Sequence, residues 1–269
     1  MLIVRNVAQL QSEISKAKNQ GQSIGFVPTM GALHAGHIAL VERSVAENDF
    51  NVVSIFVNPT QFNNASDLEK YPRNLDADAL LLEKAGCNLI FAPEIDAIYT
   101  ENEKNTRFEF NFEGLDMVME GKFRPGHFNG VVQIVSKLFT LVKPTKSYFG
   151  EKDFQQLSII HLMTQTMGFD VEIVDCPIVR EASGLAMSSR NERLTATQRE
   201  IASGISKVLF ESKTLTNKLL PAELTRWVEN EIAQIESLKL EYFEIVDAKN
   251  LQTANNWNTQ TVGCIAVFC

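Results

Sequence analysis

Long apolar runs are missing from this chain, and so is any surplus of positive charge. No stretch of its 269 residues approaches the ~20 consecutive apolar positions that a bilayer-spanning helix needs, so no membrane span is expected. The net charge is −8 and the isoelectric point about 5.2. Broad nucleic-acid binding relies on a basic field, so this balance argues against it, and an anionic ligand would need its positive partners gathered locally. Cysteine is scarce too. Cys87, Cys176, Cys264 and Cys269 are widely spaced with no CxxC, which suits reduced thiols in a cytoplasm and neither a disulfide frame nor a zinc site. The opening MLIVRNVAQLQSEISKAK lacks the leading positive region and cleavage pattern of a secretory signal. GxxxxGK[ST], GxGxxG and HExxH are all absent, which disfavours a P-loop, a dinucleotide site and a catalytic zinc. There are no internal repeats and no low-complexity tract.

What remains is an ordinary globular composition, 45% hydrophobic and 22% charged, in a chain long enough for one large domain or two modest ones. Asn6 and Gln9 resemble a capping box, and Val7, Leu10, Ile14 and Ala17 recur at helical spacing, so a helix is predicted over 7–19. Strands are predicted at 24–27 and 51–57, with a helix over 36–48 between them. That βαβ unit implies a parallel sheet. The alternation continues through helices at 76–85, 130–142 and 154–167 and short strands near 88–93, 147–150 and 170–175. Residues 1–177 therefore read as a doubly wound, Rossmann-like α/β domain. Beyond Cys176-Pro177 the rhythm changes. Helices near 197–213 and 221–237 precede strands at 240–246 and 262–268, a pattern that suits a smaller α+β domain over 178–269.

With only four histidines, the chain places two of them three residues apart in FVPTMGALHAGH. His34 and His37 fall just past a predicted strand, where the next helix begins. In open α/β sheets ligands bind beyond the carboxyl ends of the strands. A helix N-terminus also offers N–H groups and partial positive charge to a phosphate. Gly31 and Gly36 allow close backbone approach. A bare HxxH is more often two surface or capping histidines, and no third zinc ligand stands near. Two further stretches give it company. YFGEKDFQQ sets Lys152 between acids after a strand end, and GLAMSSRN supplies Ser188, Ser189 and Arg190 from a small-residue loop. Each alone reads as a solvated turn. Together they offer imidazoles, an ammonium, hydroxyls and a guanidinium, the groups an ATP triphosphate requires.

HAGH with MSSR resembles the paired HxGH and KMSKS-type motifs of the nucleotidyl-transferase superfamily. FVPTMGALHAGH, SIFVNPTQF, YPRNLDAD, RPGHFNGV, YFGEKDFQQ and GLAMSSRNERL, in that order, are similar to the pantoate–β-alanine ligase family, densely over about 1–195 and loosely beyond. The resemblance implies a two-step ligation. Pantoate's carboxylate attacks the α-phosphate of ATP to give an acyl adenylate and pyrophosphate, then the amine of β-alanine displaces AMP. It implies His37, His34, Lys152, Ser188, Ser189 and Arg190 as the catalytic set. It places ATP against Met30, Gly31, Ala32, Leu33, His34, Ala35, Gly36 and His37, against Gly150, Glu151, Lys152 and Asp153, and against Val179, Met187, Ser188, Ser189 and Arg190. Gln61 and Gln156 match pantoate-binding glutamines, with Met30 and Phe56 as apolar walls.

Where some relatives carry consecutive acids for Mg²⁺, this chain has Asp76, Ala77 and Asp78, and Asp78 is the metal candidate. Arg124 and His127 either face the site or brace a loop. The family likeness further implies a homodimer. MSSR lies past the Cys176-Pro177 junction while its chemistry is needed at a triphosphate on the first domain, so the smaller domain is expected to act as a lid. The rival readings are an adenylyltransferase that stops at a nucleotide product and a tRNA- or protein-binding module without chemistry. NPTQF and the GEKDFQQ context oppose the first, the net charge of −8 the second.

Overall fold

The computed structural model of the chain describes residues 1–106 and 108–269, the side chains at 65, 104 and 105 excepted. In chain order it runs β1 (Leu2–Val4), α1 (Val7–Asn19), β2 (Ile24–Thr29), α2 (Ala35–Glu47), β3 (Phe50–Ile55) and α3 (Ala65–Glu69). Then come α4 (Leu75–Lys84), β4 (Leu89–Phe91), α5 (Ile95–Ile98), α6 (Glu101–Asn105), α7 (Met119–Phe123), α8 (His127–Val142) and β5 (Lys146–Gly150). The chain closes with α9 (Phe154–Thr166), β6 (Glu172–Cys176), α10 (Ala196–Thr214), α11 (Pro221–Ala233), β7 (Lys239–Asp247) and β8 (Thr261–Phe268). Asn6 caps α1 by accepting a hydrogen bond from the Gln9 N–H at 2.9 Å, which ties the helix start to the sequence signal.

β1 to β6 form one parallel sheet in the order β1-β4-β3-β2-β5-β6. Crossovers joining parallel strands leave helices on both faces, so central strands must be apolar throughout. Ile24 to Val27 of β2 are accordingly buried without alternation. One face carries α2 and α4 over a core of Val27, Val41, Val53, Leu82 and Ile90. On the other face α8 packs against α1, α9 and β2, and Phe26 meets Phe139 edge-on at 6.3 Å. This is a doubly wound α/β sheet. β7 and β8 make a separate antiparallel pair, packed with α10 and α11 around Val228, Ile232, Phe243 and Ile245.

By its internal packing the chain divides into two compact units, Met1–Phe112 with Arg124–Pro177, and Glu113–Phe123 with Ile178–Cys269. A single boundary at 177/178 does not describe this division. The segment Glu113–Phe123 belongs with the second unit, where the Phe123 ring stacks on Tyr242 at 5.6 Å and 15°. Its helix is five residues long, too short for apolar periodicity to mark it in the sequence.

Candidate active site

β2 is flanked by β3 on one side and β5 on the other. The chain leaves β2 toward β3 and later returns on the opposite side as β5, so strand order reverses between these two neighbours. Such a switch point opens a crevice at the carboxyl ends of the strands. HAGH follows β2, and Glu151, Lys152 and Asp153 follow β5. Two motifs more than a hundred residues apart in sequence thus meet at one sheet edge, and the Lys152 and Asp153 charges both act on His34 and His37.

The turn from β2 into α2 takes its shape from side chains that accept its amide N–H groups. Thr29 Oγ1 accepts from Gly31 at 3.2 Å. The Asp78 carboxylate accepts from Ala32 at 3.0 Å through Oδ2 and from Leu33 at 2.8 Å through Oδ1. His37 Nδ1 accepts from His34 N–H at 3.3 Å, and His34 Nδ1 accepts from Gly36 N–H at 3.1 Å. The two histidines therefore form a capping box at the start of α2. Gly31 and Ala32 both lie in the left-handed region, at φ 84° and 50°. For alanine that conformation costs roughly 1–2 kcal/mol, so the surrounding bonds must hold it.

This arrangement revises one part of the sequence reading. The N–H groups of His34 and Gly36 are engaged by imidazoles, so they are not donors in waiting for a phosphate. What the turn offers in their place is the pair of imidazole rings. Because each Nδ1 accepts a backbone proton, each ring carries its own proton on Nε2 and offers Nε2–H as a neutral donor. The rings stand 4.1 Å apart, centroid to centroid. Burial, then the neighbouring His34, pushes the His37 pKa down to about 3. His34 is lowered as well, first by burial and then by the Lys152 ammonium. Both rings are neutral at physiological pH.

Asp78, expected to hold Mg²⁺, has another occupation. Its side chain is buried at 3% exposure in the first turn of α4, and both carboxylate oxygens accept the loop amides described above. Among the described residues no group of three or more His, Cys, Asp or Glu is placed to hold a metal ion.

Gln61 closes a 3₁₀ turn, Pro59–Gln61, after β3, and is buried. Its backbone carbonyl lies 2.8 Å from His127 Nδ1 and accepts from Arg124 Nη2 at 3.3 Å. Arg124 and His127 thus brace the turn that presents Gln61. The fully buried Asn58 adds a second tie. Its Nδ2 donates to the Gly130 carbonyl at 3.0 Å, and its Oδ1 accepts from the Tyr99 hydroxyl at 2.9 Å. Gly130 is required for the approach of α8. A Cβ there would collide with the Thr60 carbonyl oxygen and stand 2.8 Å from the Gln61 nitrogen. The sequence reading did not single out Asn58 or Tyr99, although Asn58 stands inside the NPTQF motif that signals Gln61. Gln156 lies half-buried in the first turn of α9, Phe56 is buried, and Met30 is half-buried at the end of β2.

In the second unit, Met187 N–H donates to the Val179 carbonyl at 3.0 Å, joining two positions the sequence reading assigned to nucleotide contact. Ser188 caps the short turn Ser189–Arg193 by accepting from Arg190 N–H at 3.2 Å. Asn191 Nδ2 ties the loop to Glu181 at 3.1 Å and to the Ala186 carbonyl at 3.0 Å. Ser189 is buried and the Arg190 side chain is exposed.

A family model described as pantoate-beta-alanine ligase matches residues 2–269. Pantothenate synthetase of Bacteroides fragilis is 57% identical over 271 residues, covering 100% of this chain and 95% of that protein. That of Phocaeicola vulgatus is 57% identical over 272 residues, with the same coverage. Among solved structures, pantothenate synthetase from Thermus thermophilus superposes with a TM-score of 0.92 at 40% identity, covering 99% of this chain and 95% of that one. Pantoate-beta-alanine ligase from Francisella tularensis, complexed with beta-gamma ATP and beta-alanine, gives 0.80 at 36% identity, covering 99% and 97%.

Proposed function

The chain belongs to the pantoate–β-alanine ligase family, which joins (R)-pantoate to β-alanine using ATP, and from that premise we propose which of its residues carry each part of the reaction. In the first step a pantoate carboxylate oxygen attacks the α-phosphorus of ATP. The bond to pyrophosphate breaks and pantoyl adenylate forms. In the second, the β-alanine amine attacks the acyl carbon, AMP leaves with the bonding electrons, and the nitrogen loses a proton. Negative charge gathers on the α-phosphate during the attack. Donors fixed there in advance lower that barrier without reorganising.

His37 and His34 are assigned this role through Nε2–H, with Lys152 holding phosphate oxygens. The supporting observation is the capping box, which sets both tautomers, in rings whose pKa values burial lowers. A neutral ring whose Nδ1 is committed can donate but cannot drift into a base. The loop 30–37 with 150–153 is proposed to receive the nucleotide. Ser188, Ser189 and Arg190 are proposed to grip the triphosphate, Arg suiting bidentate phosphate contacts, and Val179 and Met187 to meet the adenine. Gln61 and Gln156 are proposed to bond pantoate, whose hydroxyls need amides that both donate and accept. Mg²⁺ is proposed to arrive with the triphosphate, held by phosphate oxygens and water as that ion commonly is. Asp78, whose two oxygens already accept loop amides, is assigned to the loop, and no step is assigned to the ion. No helix among the described residues is long and apolar enough to cross a membrane. A homodimer on family likeness, a cytoplasmic location on cysteine usage and a lid role for 178–269 on the position of MSSR complete the proposal.

Incubation with ATP, Mg²⁺, pantoate and β-alanine, followed by mass analysis, tests the whole reading. Pantothenate, AMP and pyrophosphate are expected in equal amounts. Pyrophosphate formation by His37→Ala at wild-type rates would remove His37 from the first step.

A further inference from the structure

A buried carboxylate with two amides on it is a structural clamp, and here the clamped segment leads directly into HAGH. Asp78 Oδ1 and Oδ2 accept from Leu33 and Ala32, the two residues immediately before His34. The segment they hold is one the chain would not adopt freely. Gly31 and Ala32 are consecutive residues at positive φ, and the second has a side chain. The carboxylate is also crowded from the loop side, since a Cβ on Gly31 would come within 3.0 Å of Asp78 Oδ2 and 3.1 Å of Ile55 Cγ2. At the other end, Asp78 is anchored in the first turn of α4, where its N–H donates to the Asn74 carbonyl at 3.0 Å. A negative group at a helix N-terminus is favoured by the helix dipole. Its position is therefore set by one helix and used to fix the start of another.

We propose that Asp78 is a positioning residue for the nucleotide, holding Ala32 and Leu33 so that the His34–His37 capping box forms in register, and that it does so independently of any metal. Because it rests on the assignment of His34 and His37 to the ATP phosphates, the proposal has one arm that needs no nucleotide. Asp78→Asn keeps the shape but turns an NH₂ group toward an N–H, replacing an acceptor with a second donor. Losing a hydrogen bond to a charged acceptor changes an equilibrium by on the order of tenfold or more.

The experiment has three readings on wild type and Asp78→Asn. Amide hydrogen exchange over residues 29–38 of the free protein should rise by on the order of tenfold in the variant. ATP affinity by calorimetry should fall by a similar factor in EDTA and in Mg²⁺ alike. Pantoate affinity should be unchanged, which also certifies the fold. A loss of ATP affinity seen only with Mg²⁺ would make Asp78 a metal ligand and overturn the proposal. So would unchanged exchange, or loosened exchange with ATP affinity intact. If His37→Ala also leaves ATP affinity and the first step intact while exchange in Asp78→Asn rises, the failure lies with the phosphate assignment. Should Asp78→Asn not fold, Gly31→Ala pushes on the same contact with the carboxylate kept. It is expected to give the same signature, and intact ATP affinity in that variant would overturn the proposal.

Discussion

The Nδ1 atom of His127 lies 2.8 Å from the backbone carbonyl of Gln61, across 66 residues of sequence. The bond fixes the main chain of a turn whose side chain is proposed to meet pantoate, so a positioning role for His127 follows from that proposal. His127→Ala is expected to raise the pantoate KM by on the order of tenfold while leaving ATP binding unchanged. Arg124 donates to the same carbonyl, so the two losses should not add. Equal effects on both ligands, measured by separate titrations, would refute a positioning role.

Gly130 offers a test from the other side of that contact. Adding a methyl group forces α8 away from the Pro59–Gln61 turn, because the atoms it meets are backbone and cannot rotate aside. Gly130→Ala should lower the melting temperature and weaken pantoate binding more than ATP binding. A variant that melts and binds like wild type would show that the turn yields without cost.

Gln61→Ala removes the amide itself. It should weaken pantoate strongly and ATP little, and calorimetry with each ligand separately reads the difference. An equal loss for both would break the assignment.

The pKa of His37 gives a signed prediction. Its folded value of about 3 lies below the ordinary 6.5, so between these values the unfolded chain binds more protons than the folded one. The contribution of this group to stability is complete above pH 6.5 and is lost as pH falls from there toward about 3. Relative to His37→Gln, wild type should lose melting temperature across that window and hold it above. Imidazole nitrogen shifts from NMR should report a neutral ring protonated on Nε2 at every pH from about 5 to 8. A titration near 6.5 would contradict both. His37→Ala should slow the first step by about 10²–10³, the usual cost of removing such a donor.

Arg190→Ala should bind ATP less tightly with pantoate affinity unchanged, since only the nucleotide carries the charge it is assigned to. Unaltered ATP affinity would remove Arg190 from the triphosphate.

The α/β alternation, the helix starting at Val7 and the strand after it were legible because they depend on local spacing and caps, which the sequence states directly. The family likeness was legible for the same reason, as HAGH and MSSR keep their residues within a few positions of one another. Strand order was not. That β5 lies beside β2 depends on packing across about 120 residues, and only the sheet places Lys152 where its charge reaches His34. The short helix α7 was invisible because one turn has no period, and it joined the second unit through Phe123 on Tyr242. Asp78 shows the limit most clearly. Its family likeness points to a cation, and only the fold shows it buried, with its two oxygens accepting backbone amides 45 and 46 residues away. Residue type and spacing settle which groups are on hand, because those are local properties. Which of their atoms stay available is decided by the tertiary fold, because hydrogen-bond partners are distributed by packing and not by distance along the chain.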